Sequence, residues 1–427
     1  MSDKQFLQHT QRWMFLLLLL MIACFFTWSE NVTITRLIKV VGRMGVMGGA
    51  MAVYWSLLRH KALDTLQWKN PAPTLLYALY LVLGFASFMW STNVGYSALQ
   101  WFMTAQTLIF CWYFVRSLQL LDVYYPGHPL KMQRMLGRSV FVLLLIFVVG
   151  KYVAPDVFFR MTHGGEEARL GGYLMNPNEL GMLAGVGAAS YIAELYHAKN
   201  RIWTVLQLLV ILYALLETGS RSSLAGVLLI VVFHIFQSDR RQIQVLIVAA
   251  VLIVTPPAVW KVILKEGDPE RMEEIMSLTG RLPFWKALIL EGLPREPLLG
   301  FGFMRIDYKE YFQSVHTYPG KMTHNTFIQV LMNLGFTGLV IVLFQVAATL
   351  RAMLAAGKAE RLFLLGLFIP ILINSFTEFG IFGESNYGIL FYQLILFSVS
   401  FQNRQYLRAG ERLRLAGIAG GTLRRSV

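Results

Sequence analysis

The sequence predicts an all-α integral membrane protein of about twelve transmembrane helices, with a long, partly helical external loop between the ninth and tenth. Three observations carry that prediction. Hydrophobic residues fill 56% of the 427 positions and charged residues only 15%, where a soluble domain carries about 25% charged residues. Apolar runs near the ~18 residues that a spanning helix needs recur along the chain. The runs are continuous and do not alternate, so they read as helices, not barrel strands.

Taken in order, the spans fall near 13–29, 37–58, 74–92, 96–115, 139–153, 176–197, 202–216, 222–237, 243–259, 324–350, 362–376 and 387–401. The first, WMFLLLLLMIACFFTWS after Arg12, resembles a signal peptide. It lacks a small-residue cleavage site, and equally apolar segments follow it, so it reads as a retained first helix. Cys24 and Cys111 both fall inside spans, which argues against a disulfide framework. No repeat, low-complexity tract or soluble domain is visible. The chain therefore reads as one polytopic domain over 1–427, containing an external loop at 261–323 and a basic cytoplasmic tail at 403–427.

Charge orients the spans. The segments on the side of both termini are 1–12, 59–73, 116–138, 199–201, 238–242, 351–361 and 403–427. They hold 22 of the 38 Lys and Arg but only 6 of the 24 Asp and Glu. The positive-inside rule puts that side, and both termini, in the cytoplasm. A net charge of +14 would otherwise point toward nucleic acid. Here membrane topology explains the excess, and no nucleic-acid partner is implied.

The longest connection, Lys261 to Thr323, then faces outward. A loop of that length is commonly functional or structured, and 269–277 and 283–291 look like short amphipathic helices. At its end the chain reads KMTHNTFIQVLMNLGFTGL, so His324 stands at the outer doorway of a long apolar helix. Three outward arginines join it: Arg169 in EARLGGYLMNPNELG, Arg221 in ETGSRSSLAG and Arg281 in TGRLPFW. Guanidinium groups grip phosphate through a planar fork and keep their charge at physiological pH. A lipid-linked diphosphate at that membrane depth is the ligand they suit. Glu179 lies just inside a span and needs a partner there. Lys39 and Arg43 lie one turn apart near the outer end of the second span, placed to pair with Glu179 or with a bound phosphate.

Each feature also has a plainer reading. Arginines at span ends snorkel to lipid head groups, a histidine at a helix start is often merely interfacial, and Asn176 and Asn178 in NPNEL suit helix capping. Other chemistry is missing. No DxD pair, HExxH or Cys/His cluster offers a metal site. DPE at 268–270 is too weak to count, and Gly300–Phe301–Gly302 lacks the context of a nucleotide loop. The serines of SRSS have no assignable base. No metal, cofactor or ATP-driven engine is expected.

In order, the motifs NPNEL, TGSRSSLAG, TGRLPFW with PLLGFGF, and HNTFIQVLMNLGFTG resemble the O-antigen ligase and polymerase superfamily over roughly 169–339. The resemblance implies a metal-independent membrane glycosyltransferase that uses an undecaprenyl-diphosphate-linked glycan. It puts the family's essential arginines on Arg221 and Arg281 and its essential histidine on His324. The expected catalytic set is His324, Arg221 and Arg281. The expected substrate-binding set is Arg169, Arg221, Arg281, Asn178, Lys39 and Arg43. The ligase branch implies transfer of O-antigen to a lipid A–core acceptor on the periplasmic face of a bacterial inner membrane, and direct displacement by the acceptor hydroxyl would invert the anomeric centre. Three alternatives stay open: a polymerase with a second lipid-linked glycan as acceptor, a protein O-oligosaccharyltransferase, and a lipid-linked glycan transporter. The short arginine-rich tail argues against the second, and the absence of repeats against the third.

Overall fold

The structure is a computed structural model and describes residues 2–61, 66–125, 130–162, 167–237, 239–258, 281–303, 323–378 and 380–403. The helix expected over 269–277, the DPE segment at 268–270 and the tail beyond 403 lie outside the described residues. Fourteen helices are described: α1 (Asp3–Ala23), α2 (Val32–Lys61), α3 (Pro71–Ala86), α4 (Val94–Tyr124), α5 (Met132–Val153), α6 (Pro155–Phe158), α7 (Pro177–Leu195), α8 (Arg201–Thr218), α9 (Arg221–Gln237), α10 (Arg241–Ala258), α11 (Arg281–Ala287), α12 (Thr326–Leu354), α13 (Lys358–Thr377) and α14 (Tyr387–Ser400). Four short strands, β1 (Leu66–Trp68), β2 (Phe159–Thr162), β3 (Glu167–Leu170) and β4 (Phe401–Asn403), pair as β1 with β4 and β2 with β3, both antiparallel.

Each expected span overlaps a helix, although α1 (Asp3–Ala23) starts ten residues before the expected 13–29 and stops short of its end. Seven helices (α1, α2, α3, α5, α8, α12 and α13) are long and apolar enough to cross a membrane, and α9, α10 and α14 are shorter apolar helices. The remaining two, α4 and α7, are diluted by glutamines and threonines in α4 and by glycines in α7. Large apolar side chains stand exposed on several helices, Phe236 at 81% and Phe344 at 64% among them, as lipid-facing surfaces require. The protein is therefore an all-α, multi-pass membrane protein.

Asparagine starts many of these helices. Asn93, Asn176, Asn200, Asn325 and Asn386 each accept a hydrogen bond from a backbone N–H in the first turn, pairing donors that would be costly to leave bare near lipid. Pro177 at the first position of α7 suits that start as well.

The centre of the bundle is α7, whose side chains are buried from Leu180 to Leu195, packed against α5, α8, α9 and α13. Small residues make this possible. A side chain at Gly185 or Gly226 would press on Pro370 of α13, and one at Gly181 on Ser220. Helices without a hydrophobic drive between them pack through such close approaches.

The long helix α12 breaks at Gly335 (φ 62°, ψ −163°). The segment Pro297–Phe303 lies along the break. Phe301 N donates to the Met332 carbonyl (3.0 Å), Gly302 N to Asn333 (2.9 Å) and Phe336 N to the Pro297 carbonyl (2.8 Å). A Cβ at Gly335 would sit 2.3 Å from the Leu298 backbone, and one at Gly300 would sit 2.5 Å from Asn333. The glycines of PLLGFGF and NLGFTG thus lock the Pro297–Phe303 segment to α12 at its break.

Candidate active site

Five segments converge at one end of the bundle. Asn325 begins α12: its Oδ1 accepts from Phe327 N (3.0 Å) and Ile328 N (3.1 Å), and its Nδ2 donates to the Phe376 carbonyl at the end of α13 (3.1 Å). The capping role therefore belongs to Asn325, and His324 is spared it. His324 adopts φ 49°, the one positive φ at a non-glycine among the described residues. Such a conformation costs energy, and surrounding structure must over-determine it.

That backbone turn delivers the imidazole to Glu378, with Nδ1 2.9 Å from Oε2. Glu378, directly after α13, is 6% exposed and gathers the other groups. Its Oε1 accepts from Arg281 Nη2 (2.5 Å) and from Asn178 Nδ2 (2.7 Å). Arg281 also donates through Nη1 to the Thr377 carbonyl. Burial works against a charge on Glu378, but the His324 hydrogen bond and the Arg281 guanidinium outweigh it and hold the carboxyl below its ordinary value.

Arg169 completes the chain. The β2–β3 hairpin, with Arg160 opposite Arg169, presents it to the bundle. Its Nε donates to the Thr218 carbonyl (2.6 Å) and its Nη2 to Asn178 Oδ1 (2.6 Å). The approach needs Gly219, which ends α8 at φ 60°, since a Cβ there would stand 3.2 Å from Arg169 Nε. One network thus runs Arg169, Asn178, Glu378, then both Arg281 and His324. Beside it lies a small recess of about 20 Å³, lined by His324, Glu378, Glu384 and Asn386.

The other expected residues are placed differently. Arg221 is the first residue of α9 and exposed, near enough for its charge to act on Arg169. Lys39 and Glu179 lie within electrostatic reach of each other. Arg43 is 1% exposed, donates to Ser385 Oγ (2.7 Å) and lies 3.8 Å from the Phe25 ring centroid. It is built into packing, outside the Glu378 network. The two asparagines of NPNEL divide their work, since Asn176 caps α7 and Asn178 bridges Arg169 to Glu378. The hydroxyls of Ser222 and Ser223 are taken up by Asn374 Oδ1 (3.1 and 3.3 Å).

Sequence reasoning missed Glu378. A signal existed: it is one of two carboxylates between the last two apolar runs, where a buried charge requires a partner. A carboxylate on one imidazole nitrogen fixes the tautomer and stabilises the imidazolium, which prepares the opposite nitrogen to take a proton. Among the described residues no group of three or more His, Cys, Asp or Glu side chains is gathered as a metal site.

Residues 206–343 match the family model described as O-antigen ligase. The matched stretch runs from within α8 into α12 and includes Arg221, Arg281 and His324, while Arg169, Asn178 and Glu378 lie outside it. The match supports assignment of the chain to the O-antigen ligase and polymerase superfamily. No curated protein matches the chain.

Proposed function

We propose that this protein is an inverting membrane glycosyltransferase that moves O-antigen from undecaprenyl diphosphate to a lipid A–core acceptor. The observation that carries the reading is the His324–Glu378–Arg281 contact around a buried carboxylate, joined through Asn178 to Arg169, on which the charge of the exposed Arg221 acts. All twelve apolar helices span the bacterial inner membrane in this reading, with both termini cytoplasmic and the cluster periplasmic. Cysteines placed at Glu270 and Ser426 in a cysteine-free background test that frame: an impermeant thiol reagent on intact cells should label only the first.

In the proposed step, an acceptor hydroxyl attacks the anomeric carbon of the glycan as the bond from that carbon to the diphosphate breaks. His324 Nε2 takes the hydroxyl proton, and Glu378 stabilises the imidazolium that forms. Negative charge develops on the departing diphosphate, where Arg221 and the neighbouring arginines stabilise it in a poorly solvated site. Arg281, already held by Glu378 and Thr377, orients the carboxylate and adds positive charge behind it. Direct displacement inverts the anomeric centre and needs no covalent intermediate.

The test is reconstitution of purified protein with undecaprenyl-diphosphate glycan and lipid A–core, without ATP or added metal. Capped lipopolysaccharide is the expected product. Lengthened lipid-linked glycan in its place would assign the polymerase reaction, and no product with either acceptor would sink the transferase reading.

A further inference from the structure

A cavity of about 700 Å³ opens at the other end of α7, bounded by α1, α5 and α8. Asn178 and Glu194 are 16 positions apart on α7, so the cavity lies about 24 Å along the helix from the Glu378 network. It belongs to the opposite face of the bundle.

The cavity has two chemically distinct parts. Phe15, Phe141 and Trp203 give it an apolar wall, and Arg138 and Lys199 stand exposed at its edge. Its floor holds two buried polar side chains one turn apart on α7, Tyr191 (4% exposed) and Glu194 (6%). Arg134 donates through Nε (2.8 Å) and Nη2 (2.6 Å) to one oxygen of Glu194, Oε1. The other oxygen, Oε2, has no hydrogen-bond partner among the described residues, and neither does the Tyr191 hydroxyl. Buried groups left like this are rare and call for an explanation.

We propose that the cavity binds a phospholipid with a primary-ammonium head group, of the phosphatidylethanolamine type, from the leaflet opposite the His324 cluster. The ammonium donates to Glu194 Oε2. The phosphate lies between Arg138 and Lys199 and accepts from Tyr191, while the lipid body follows Phe15, Phe141 and Trp203. Volume agrees, since sites for ligands of this size span about 300–1,000 Å³. A choline head group has no N–H to offer Glu194, and a glycerol head group offers it only a neutral hydroxyl in place of the ammonium that would offset the carboxylate's charge. This site is separate from glycosyl transfer and does not depend on that reading.

The test compares phosphatidylethanolamine, phosphatidylcholine and phosphatidylglycerol added to delipidated full-length protein in detergent, read by native mass spectrometry and thermal unfolding. The ethanolamine lipid should be retained best and raise Tm most. Tyr191→Phe and Glu194→Gln should each weaken its binding about tenfold, as loss of a hydrogen bond to a charged group does. Without lipid, Tyr191→Phe should be at least as stable as the parent, because it removes a buried hydroxyl that has no partner. If Glu194→Gln does not fold, Tyr191→Phe alone decides. Equal retention of the choline lipid would reduce the cavity to a place filled by any lipid. Preference for the glycerol lipid, or unchanged ethanolamine-lipid binding by Tyr191→Phe, would overturn the proposal.

Discussion

His324 Nδ1 lies 2.9 Å from Glu378 Oε2 although 54 positions separate the two residues. The contact is bought by an unfavourable backbone, with His324 held at φ 49° between Thr323 and the capping Asn325. A strained backbone held at a partly buried hydrogen bond singles His324 out as a candidate functional position.

The first prediction uses that backbone. Asparagine tolerates positive φ better than most residues, so His324→Asn should insert and fold. It should lose about 10²–10⁴-fold in single-turnover transfer at saturating donor, with donor affinity little changed. A rate within a few-fold of the parent would take His324 out of the mechanism.

Glu378→Gln keeps the shape and removes the charge, and should lower kcat by about 10²-fold, with Glu378→Asp intermediate. It should also change acid stability. Glu378 titrates below its ordinary value of 4.5 in the folded protein. Its contribution is therefore fully present above about pH 4.5 and is lost as pH falls through the lower folded value. Thermal unfolding from pH 7 to pH 3 should show the parent losing more Tm than Glu378→Gln. Parallel curves would show that the carboxylate gains nothing from its partners.

The arginines should separate by role. Arg221 is exposed at the start of α9, so Arg221→Lys should leave Tm unchanged while transfer falls and donor KM rises, because lysine lacks the planar fork. Arg281→Lys breaks contacts with Thr377 and Glu378 and should lower both Tm and kcat. Full activity in both variants would leave Arg221 a membrane anchor and Arg281 a purely structural contact.

Gly335→Ala tests the docking of the Pro297–Phe303 segment on α12. Its φ of 62° and the Leu298 backbone 2.3 Å from a new Cβ leave no room, and a loss of about 3 kcal/mol or more is expected. Gly45→Ala on α2 is the control, because nothing lies within 4 Å of its Cβ. Equal Tm values for the two variants would mean that the segment does not rest on the break.

What the sequence determined alone was the membrane frame. In lipid each span must satisfy its own backbone, so an apolar run of sufficient length specifies a helix with little help from the rest of the chain. His324, Arg169, Asn178 and Arg281 were also legible as candidates, Arg169 and Asn178 in a short polar stretch between apolar runs, Arg281 within the long 261–323 connection and His324 at its end. Which residues meet was left to the tertiary structure. Glu378 in TEFG carries no motif that singles it out, and Arg43 looked like a companion to Lys39. Packing of α13 beside α7 and α12 carried Glu378 to Asn178 and His324, while packing of α2 placed Arg43 against Phe25 and Ser385. Partners so far apart in sequence leave no local pattern, because a side chain's charge partner is chosen by how helices stack and not by its neighbours along the chain.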